Sequence, residues 1–215
     1  MLCTIRPIEH KDISQVAEID REAFPGNWSY FSYISYSQEM RNPLTYYIVA
    51  CAQEGAEIKG GDNTPKGKTP WFKQLHSHNR SPGKKEGALS EEYVVGFAGL
   101  RVILSEAHLV NIAVRNEYRH QGIGESLLIS MIELAAKLNA SIITLEARIS
   151  NRVAQALYKK YGFKDAGIRR GYYSDDGEDA VLMSTDSITL APFQSNLQQL
   201  TQAHKPKWKG KFITK

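Results

Sequence analysis

The stretch Asn111-Ile112-Ala113-Val114-Arg115-Asn116-Glu117-Tyr118-Arg119-His120-Gln121-Gly122-Ile123-Gly124-Glu125-Ser126-Leu127-Leu128 runs an apolar strand into a glycine-rich turn that opens a helix. Glycines let the backbone approach a ligand closely, and a helix N-terminus offers free N–H groups and a partial positive charge. Such a turn suits a phosphate or pyrophosphate. A tight strand-to-helix turn with no ligand is the plainer reading of the same residues. Neither common nucleotide motif fits. A dinucleotide fingerprint needs Gly-x-Gly-x-x-Gly, but Leu127 stands at the third glycine. The phosphate loop needs Gly-Lys-Ser/Thr after four spacers, which is absent. What remains is Arg-x-x-Gly-x-Gly, on Arg119, Gly122 and Gly124.

Outward from this turn the chain alternates short strands and helices. The helix that the turn opens, 122–138, carries Leu127, Leu128, Met131, Ile132, Leu134, Ala135 and Leu138 on a helical period. Before the turn, 93–104 and 107–114 read as strands, as do 44–52 and 3–6, the last stopping at Pro7. Helices are expected over 11–23, broken by Phe24-Pro25-Gly26-Asn27, and over 29–41, ended by Asn42-Pro43. After the turn, 141–147 is a buried-type strand and 150–161 a helix with Gly162 as its C-cap signal. A strand pair over 163–173 and 180–184 surrounds the turn Asp175-Asp176-Gly177. The expected class is α/β (α+β), with about four helices on one central sheet.

The charge divides along the same lines. The chain has 215 residues and a formal charge of +4, which first suggests a nucleic-acid partner. Residues 55–90 hold seven basic and three acidic side chains, with six glycines, three prolines and no apolar period. They read as an unstructured basic insertion between two strands. Residues 187–215 hold five lysines and no acid, with a short helix expected around 196–202. The remaining body is about 150 residues, one ordinary domain, with a net charge of −5. No run of eighteen apolar residues is present, so no membrane span is expected. Two cysteines, Cys3 and Cys51, cannot build a disulfide framework and read as buried small residues of a cytoplasmic protein. His76 and His78 without a third ligand are weak grounds for a metal, and none is expected. Of the tyrosines spaced by three at Tyr30, Tyr33 and Tyr36, a core role is the expectation.

The Arg119-x-x-Gly122-x-Gly124 turn resembles the acyl-CoA-binding motif of the GNAT N-acetyltransferase family. The likeness continues through Leu145-Glu146-Ala147-Arg148-Ile149-Ser150-Asn151 and Ala156-Leu157-Tyr158-Lys159-Lys160-Tyr161-Gly162-Phe163. Arg169-Arg170-Gly171-Tyr172-Tyr173, Glu178-Asp179-Ala180 and Ala23-Phe24-Pro25 with Trp28-Ser29 resemble the protein N-terminal acetyltransferase branch, nearest its RimI type. That branch acetylates the N-terminal alanine of small-subunit ribosomal protein eighteen. The likeness covers roughly residues 3–184 without the insertion, giving a domain over 1–186 interrupted at 55–90 and followed by a basic tail at 187–215.

The resemblance implies a mixed, largely antiparallel sheet with splayed strands holding acetyl-CoA as co-substrate. Ile112, Ala113 and Val114 would lend backbone groups to the pantetheine arm. Arg119, His120, Gln121, Gly122, Ile123, Gly124 and Glu125 would surround the pyrophosphate, mainly through backbone N–H groups. Glu125 departs from the pattern, which commonly has a basic residue there, and an acid costs affinity unless it points away. Asn151 would contact the cofactor; as a bare residue it reads as a helix cap. Glu146 would be the general base and Tyr158 the proton donor to the leaving thiol. Their plainer readings are an ion-paired strand residue, with Arg148 a candidate partner, and a core aromatic beside Leu157. Phe24, Pro25, Tyr172 and Tyr173 would wall a peptide groove. The implied substrate is a protein N-terminus, with ribosome or RNA contact through the tail and insertion. Two alternatives stay open: another N-terminus, lysine or small amine as acceptor, or a non-catalytic acyl-CoA-binding or ribosome-associated factor.

Overall fold

The computed structural model describes residues 3–24, 32–52, 92–204 and 211–212. Eight strands form one sheet: β1 (Cys3–Pro7), β2 (Thr45–Ala52), β3 (Tyr93–Ile103), β4 (Glu106–Val114), β5 (Ile142–Arg148), β6 (Phe163–Arg169), β7 (Ala180–Thr185) and β8 (Lys211–Phe212). Their order is β6-β7-β5-β4-β3-β2-β1-β8. Only β4–β5 and β1–β8 pair in parallel, so the expected mixed, largely antiparallel sheet is present. Among the described residues five α-helices accompany it: α1 (Ile13–Ala23), α2 (Ser32–Glu39), α3 (Ile123–Lys137), α4 (Arg152–Lys160) and α5 (Ala191–His204). The insertion at 55–90, with His76 and His78, lies outside the described residues, as do Pro25, Trp28 and Tyr30.

The central strand β3 is buried on both faces. Val94, Val95, Phe97, Ala98 and Leu100 of β3 are all at 0% exposure. One face packs against α1 and α2 through Ile13, Val16, Ile19 and Tyr36. The other packs against α3, α4 and α5 through Leu127, Leu128, Met131, Tyr158, Tyr161 and Leu197. Tyr36 meets the rings of Tyr47 and Phe97 edge-on and is core, as expected of the tyrosine stripe. Cys3 stands opposite Ala52 and Cys51 opposite Thr4, so the two thiols lie in the clusters of opposite faces. Burial pushes both up to about 12.

Three boundaries differ from the sequence reading. Strand β1 includes Pro7, paired with Ile48, because the ladder bond there is made by the next residue, Ile8 N–H to Tyr47 O, and Pro7 needs no N–H toward β2. Strand β6 ends at Arg169, so Tyr172 and Tyr173 lie in the connection before β7. The tail helix begins at Ala191, earlier than 196. Pro192 is tolerated in a first turn, and Phe193, Leu197 and Leu200 give α5 an apolar stripe against the core.

Two ion clusters, each built on a buried arginine, fasten α1 to the sheet. Arg6 of β1 grips Asp12 with two bonds of 2.7 and 3.0 Å, while its Nε donates to Glu92 at 2.9 Å. Arg115, just after β4, reaches Glu18 and Glu22 of α1 and lies over the Tyr93 ring at 4.8 Å. Among the described residues no helix is long and apolar enough to cross a membrane.

Candidate active site

Strands β4 and β5 pair only at Glu106–Ile142, Ala107–Ile143 and His108–Thr144. Beyond these positions β4 runs on to Val114 and β5 to Arg148, each paired only on its far side. A bulge at Val110, between Asn111 and Leu109 in the pairing with β3, turns β4 as the two strands part. The result is a notch in the middle of the sheet. Arg115 donates its N–H to Val95 across β3. By the two-residue alternation of an antiparallel ladder, Val114 and Ile112 turn their backbone groups into the notch and Ala113 turns toward β3. The Val114 carbonyl already accepts from Arg119 Nε at 3.2 Å, tying the glycine turn to the strand end.

The glycine turn follows directly. Gly122 caps α3 with φ +82°, a left-handed conformation that glycine adopts without a Cβ penalty. His120 also has positive φ, at 61°. Among the described residues, none of the backbone N–H groups from His120 to Glu125 meets an acceptor, while Ser126 donates back to Gly122 O. Six successive donors at a helix N-terminus form a cradle whose chemistry fits a diphosphate. The departure at Glu125 has a structural account. Its carboxylate is held by Lys160, by the Tyr161 hydroxyl at 2.6 Å and by His204 at 3.4 Å. Burial alone would raise its pKa, but these three partners outweigh burial and hold it below the usual carboxylate range. The turn therefore offers an anion its backbone at Glu125, not the carboxylate.

We expect Gly122→Ala to cost about 1–2 kcal/mol, because a Cβ is strained in the left-handed region. That Cβ would also lie 2.9 Å from His204 Cε1. Urea denaturation with and without coenzyme A checks both the cost and the expected loss of ligand stabilisation.

Glu146, with a side chain only 6% exposed, lies between His108 Nε2 and Arg169, each at 3.2 Å. Burial, the largest influence, pushes His108 below its ordinary range against the pull of Glu146. The lasting cation beside Glu146 is therefore Arg169, which is half exposed. The suggested pairing with Arg148 does not form. Arg148 instead binds Asp175, Asp176 and Glu178 at 2.7–2.9 Å and lies 4.0 Å over the Tyr173 ring. It pins the β6–β7 connection, where Tyr172 and Tyr173 meet edge-on at 5.2 Å.

Tyr158 enters from α4 and is buried against Phe163, with ring centroids 5.7 Å apart. Burial, with a smaller contribution from neighbouring Tyr173, raises its phenol above the ordinary range. Asn151 caps α4: its Oδ1 accepts from Ala154 N–H at 3.1 Å. Phe24 packs on the α1 side of the core. The structure thus brings Glu146 together with Tyr172 through Arg169, and Tyr158 near Tyr173, whereas Phe24 belongs to another cluster. His108 had no sequence signal of its own, and Arg169 stood out only within the Arg169-Arg170-Gly171-Tyr172-Tyr173 segment, not as a partner of Glu146. They are far from Glu146 along the chain and meet it only through strand order.

A model of the acetyltransferase (GNAT) family matches residues 61–163. A Bacillus subtilis relative is 32% identical over 179 residues, spanning 83% of this chain and 92% of its own length. Its name, a [ribosomal protein bS18]-alanine N-acetyltransferase, is provisional there. The [ribosomal protein bS18]-alanine N-acetyltransferase of Escherichia coli K12 is 38% identical over 118 residues, 54% of this chain and 80% of that one. The crystal structure of the Escherichia coli ribosomal-protein-S18-alanine N-acetyltransferase aligns over 88% of this chain and 96% of its own, with a TM-score of 0.62 and 28% identity. The parted strands, the glycine cradle and these likenesses agree: the chain belongs to the GNAT acetyltransferase family and is an N-acetyltransferase, a family that uses acetyl-CoA.

Proposed function

We propose that this chain transfers an acetyl group from acetyl-CoA to the α-amine of a protein N-terminus, the alanine of ribosomal protein bS18 being the leading substrate. The observation that carries this reading is the notch, with the glycine turn following its β4 edge and Glu146, on its β5 strand, paired with Arg169, whose guanidinium lies over Tyr172. Relatives named for bS18-alanine acetylation supply the substrate.

In this reading the cradle N–H groups of 120–125 take the diphosphate, and Ile112 and Val114 pair with the pantetheine amides as an added strand would. Asn151 Nδ2, which has no partner among the described residues, is free to reach the same ligand while Oδ1 caps α4. An α-amine has an ordinary pKa near 7.7–8.0, so a modest base suffices to free its lone pair. Glu146 accepts that proton directly or through one water. The amine then adds to the thioester carbonyl, and the C–S bond breaks. Tyr158 donates a hydrogen bond to the departing sulfur. Because burial raises its phenol, it stays protonated across the neutral range and stabilises the thiolate as a fixed donor. Overall one acetyl group moves to nitrogen and the ammonium gives up two protons: Glu146 passes the first to solvent and takes the second as the C–S bond breaks, and the departing thiolate takes a proton from solvent, so one proton ends on sulfur and one is released.

The Tyr172–Tyr173 pair, fixed by Arg148 and Arg169, walls the groove for the peptide end. A body of net charge −5 attracts a basic ribosomal N-terminus. The five lysines of the tail all lie at Lys205 or beyond, past α5, and would touch ribosome or RNA electrostatically. The site of action would be cytoplasmic. Incubating an alanine-starting bS18 peptide with acetyl-CoA should add one acetyl mass at the N-terminus. No mass gain with that peptide, alongside acetylation of free amines or lysine, would overturn the substrate assignment.

A further inference from the structure

Helix α5 lies beyond the residues matched by the family model, yet it touches both turns that bound the cradle helix and α4. Near its start, Phe193 packs where a Cβ on Gly162 would come within 3.1 Å of its ring, at the end of α4. At its last residue, His204 packs against Gly122, the cap of α3. His204 is only 3% exposed. Its Nε2 hydrogen-bonds Ser126 Oγ at 2.7 Å, and its Nδ1 is 3.4 Å from Glu125 Oε2. Ser126 in turn bonds the Gly122 carbonyl through both its N–H and its Oγ. One imidazole therefore contacts the cap glycine and the two residues whose positions fix the first turn of α3.

We propose that His204 is a positioning residue for the acyl-CoA diphosphate, acting through Glu125, Ser126 and Gly122. The role follows from a problem that the sequence creates. A carboxylate in the first turn favours the helix dipole but competes with an anion for the same N–H groups and repels it. Lys160, Tyr161 and His204 engage the two oxygens of Glu125, and while they do so the carboxylate is not available to the N–H groups of the turn. Lys160 and Tyr161 come from α4 and its end, so they hold one oxygen, Oε1. His204 alone among the three faces Oε2. With its ring nitrogens removed, that oxygen is freed to swing toward the cradle, and Ser126 loses the partner that orients its hydroxyl.

The inference rests on the cradle being the acyl-CoA site, and the test separates the two. His204→Phe keeps a ring beside Gly122 but no nitrogen; His204→Gln keeps a polar side chain able to reach Ser126. Coenzyme A binding to the full chain is measured by calorimetry, and steady-state kinetics are measured with acetyl-CoA and peptide varied separately. Expected for His204→Phe is an approximately tenfold rise in Kd for coenzyme A and in KM for acetyl-CoA. The KM for peptide, and kcat at saturating acetyl-CoA, should stay within twofold, and His204→Gln should recover most of the affinity. In a Glu125→Gln background the same His204→Phe change should cost less than threefold. A Kd for His204→Phe within twofold of the parent overturns the proposal, as does an equal cost in both backgrounds. Should His204→Phe not fold, the imidazole signals of His204 in the unaltered chain decide: adding coenzyme A should shift them, and no shift overturns the proposal. Failure of the unaltered chain to bind coenzyme A would instead sink the cradle reading itself.

Discussion

Replacing Glu146 with Gln should lower kcat by about 10²–10⁴-fold, the usual contribution of a positioned general base. The same change should leave coenzyme A affinity intact, because the cradle and the β4 edge lie elsewhere. It should also leave the fold intact. Glu146 is nearly buried, but its cation Arg169 is half exposed, so solvent takes over the freed guanidinium. An exposed partner of this kind carries about 0–1 kcal/mol. A large loss of turnover with an almost unchanged melting temperature is the signature of a base. Glu146 as a structural ion pair alone would give the opposite pattern, with turnover preserved and some stability lost. Stopped-flow or steady-state rates, calorimetry with coenzyme A, and thermal unfolding on one preparation distinguish the two. Turnover within a few-fold of the parent removes Glu146 as base and leaves His108, 3.2 Å away, as the group to replace next.

The second large effect is on stability. Asp12→Ala should destabilise the protein by about 3–5 kcal/mol, the cost of stranding one partner of a buried ion pair. Asp12 is 1% exposed on its side chain and Arg6 10%. The carboxylate accepts two guanidinium bonds and the Glu9 N–H at 2.7 Å, so three donors lose their acceptor together. For a chain of this size such a loss corresponds to a drop of roughly 10–15 °C in Tm. Glu92, more exposed, also holds Arg6 and sets the lower limit. Urea unfolding measures the loss; a value below about 1 kcal/mol would mean that Glu92 alone suffices to compensate Arg6. Coenzyme A affinity per folded molecule should not move, since β2 and β3 separate β1 from the β4 edge of the notch.

The contrast between these two carboxylates shows how far a sequence can be read. Glu146 stood out because its neighbours along the chain match a family pattern, but its partners were misjudged. Arg148 was the plausible cation by spacing, yet residues two apart on a strand share a face without being forced to pair. Strand order brought His108 and Arg169 to Glu146 instead, and Arg148 went to an acidic turn about thirty residues later. The glycine turn was legible because its function is local: a positive φ, a cap and free donors are properties of a few consecutive residues. The sheet itself was legible from apolar runs and turn signals. Where β4 and β5 separate was not, because it depends on register and on a bulge against a third strand. Helix α5 was underestimated for a compositional reason. Gln, Asn, Ser and Thr dominate it, and its stripe of Phe193, Leu197 and Leu200 is thin. The bare sequence carried no sign that His204 would be a contact of the glycine turn.

The parting of β4 and β5 also bears on how the protein holds together. Sheet edges normally lie at the outside, where a protein can blunt or cover them. Here two edges face each other in the interior of the sheet, and beyond His108–Thr144 no strand among the described residues continues the ladder between them. The folded chain is in this sense one strand short, and in the proposed reading acetyl-CoA would supply that strand. Ligand occupancy therefore becomes a component of folding stability: at a concentration one hundred times Kd it adds about 2.7 kcal/mol. In a cell where acetyl-CoA falls, the same gap would leave the emptied enzyme easier to open at its centre than at its rim. Hydrogen exchange at Ile112 and Val114, slow with ligand and fast without, would read that difference directly.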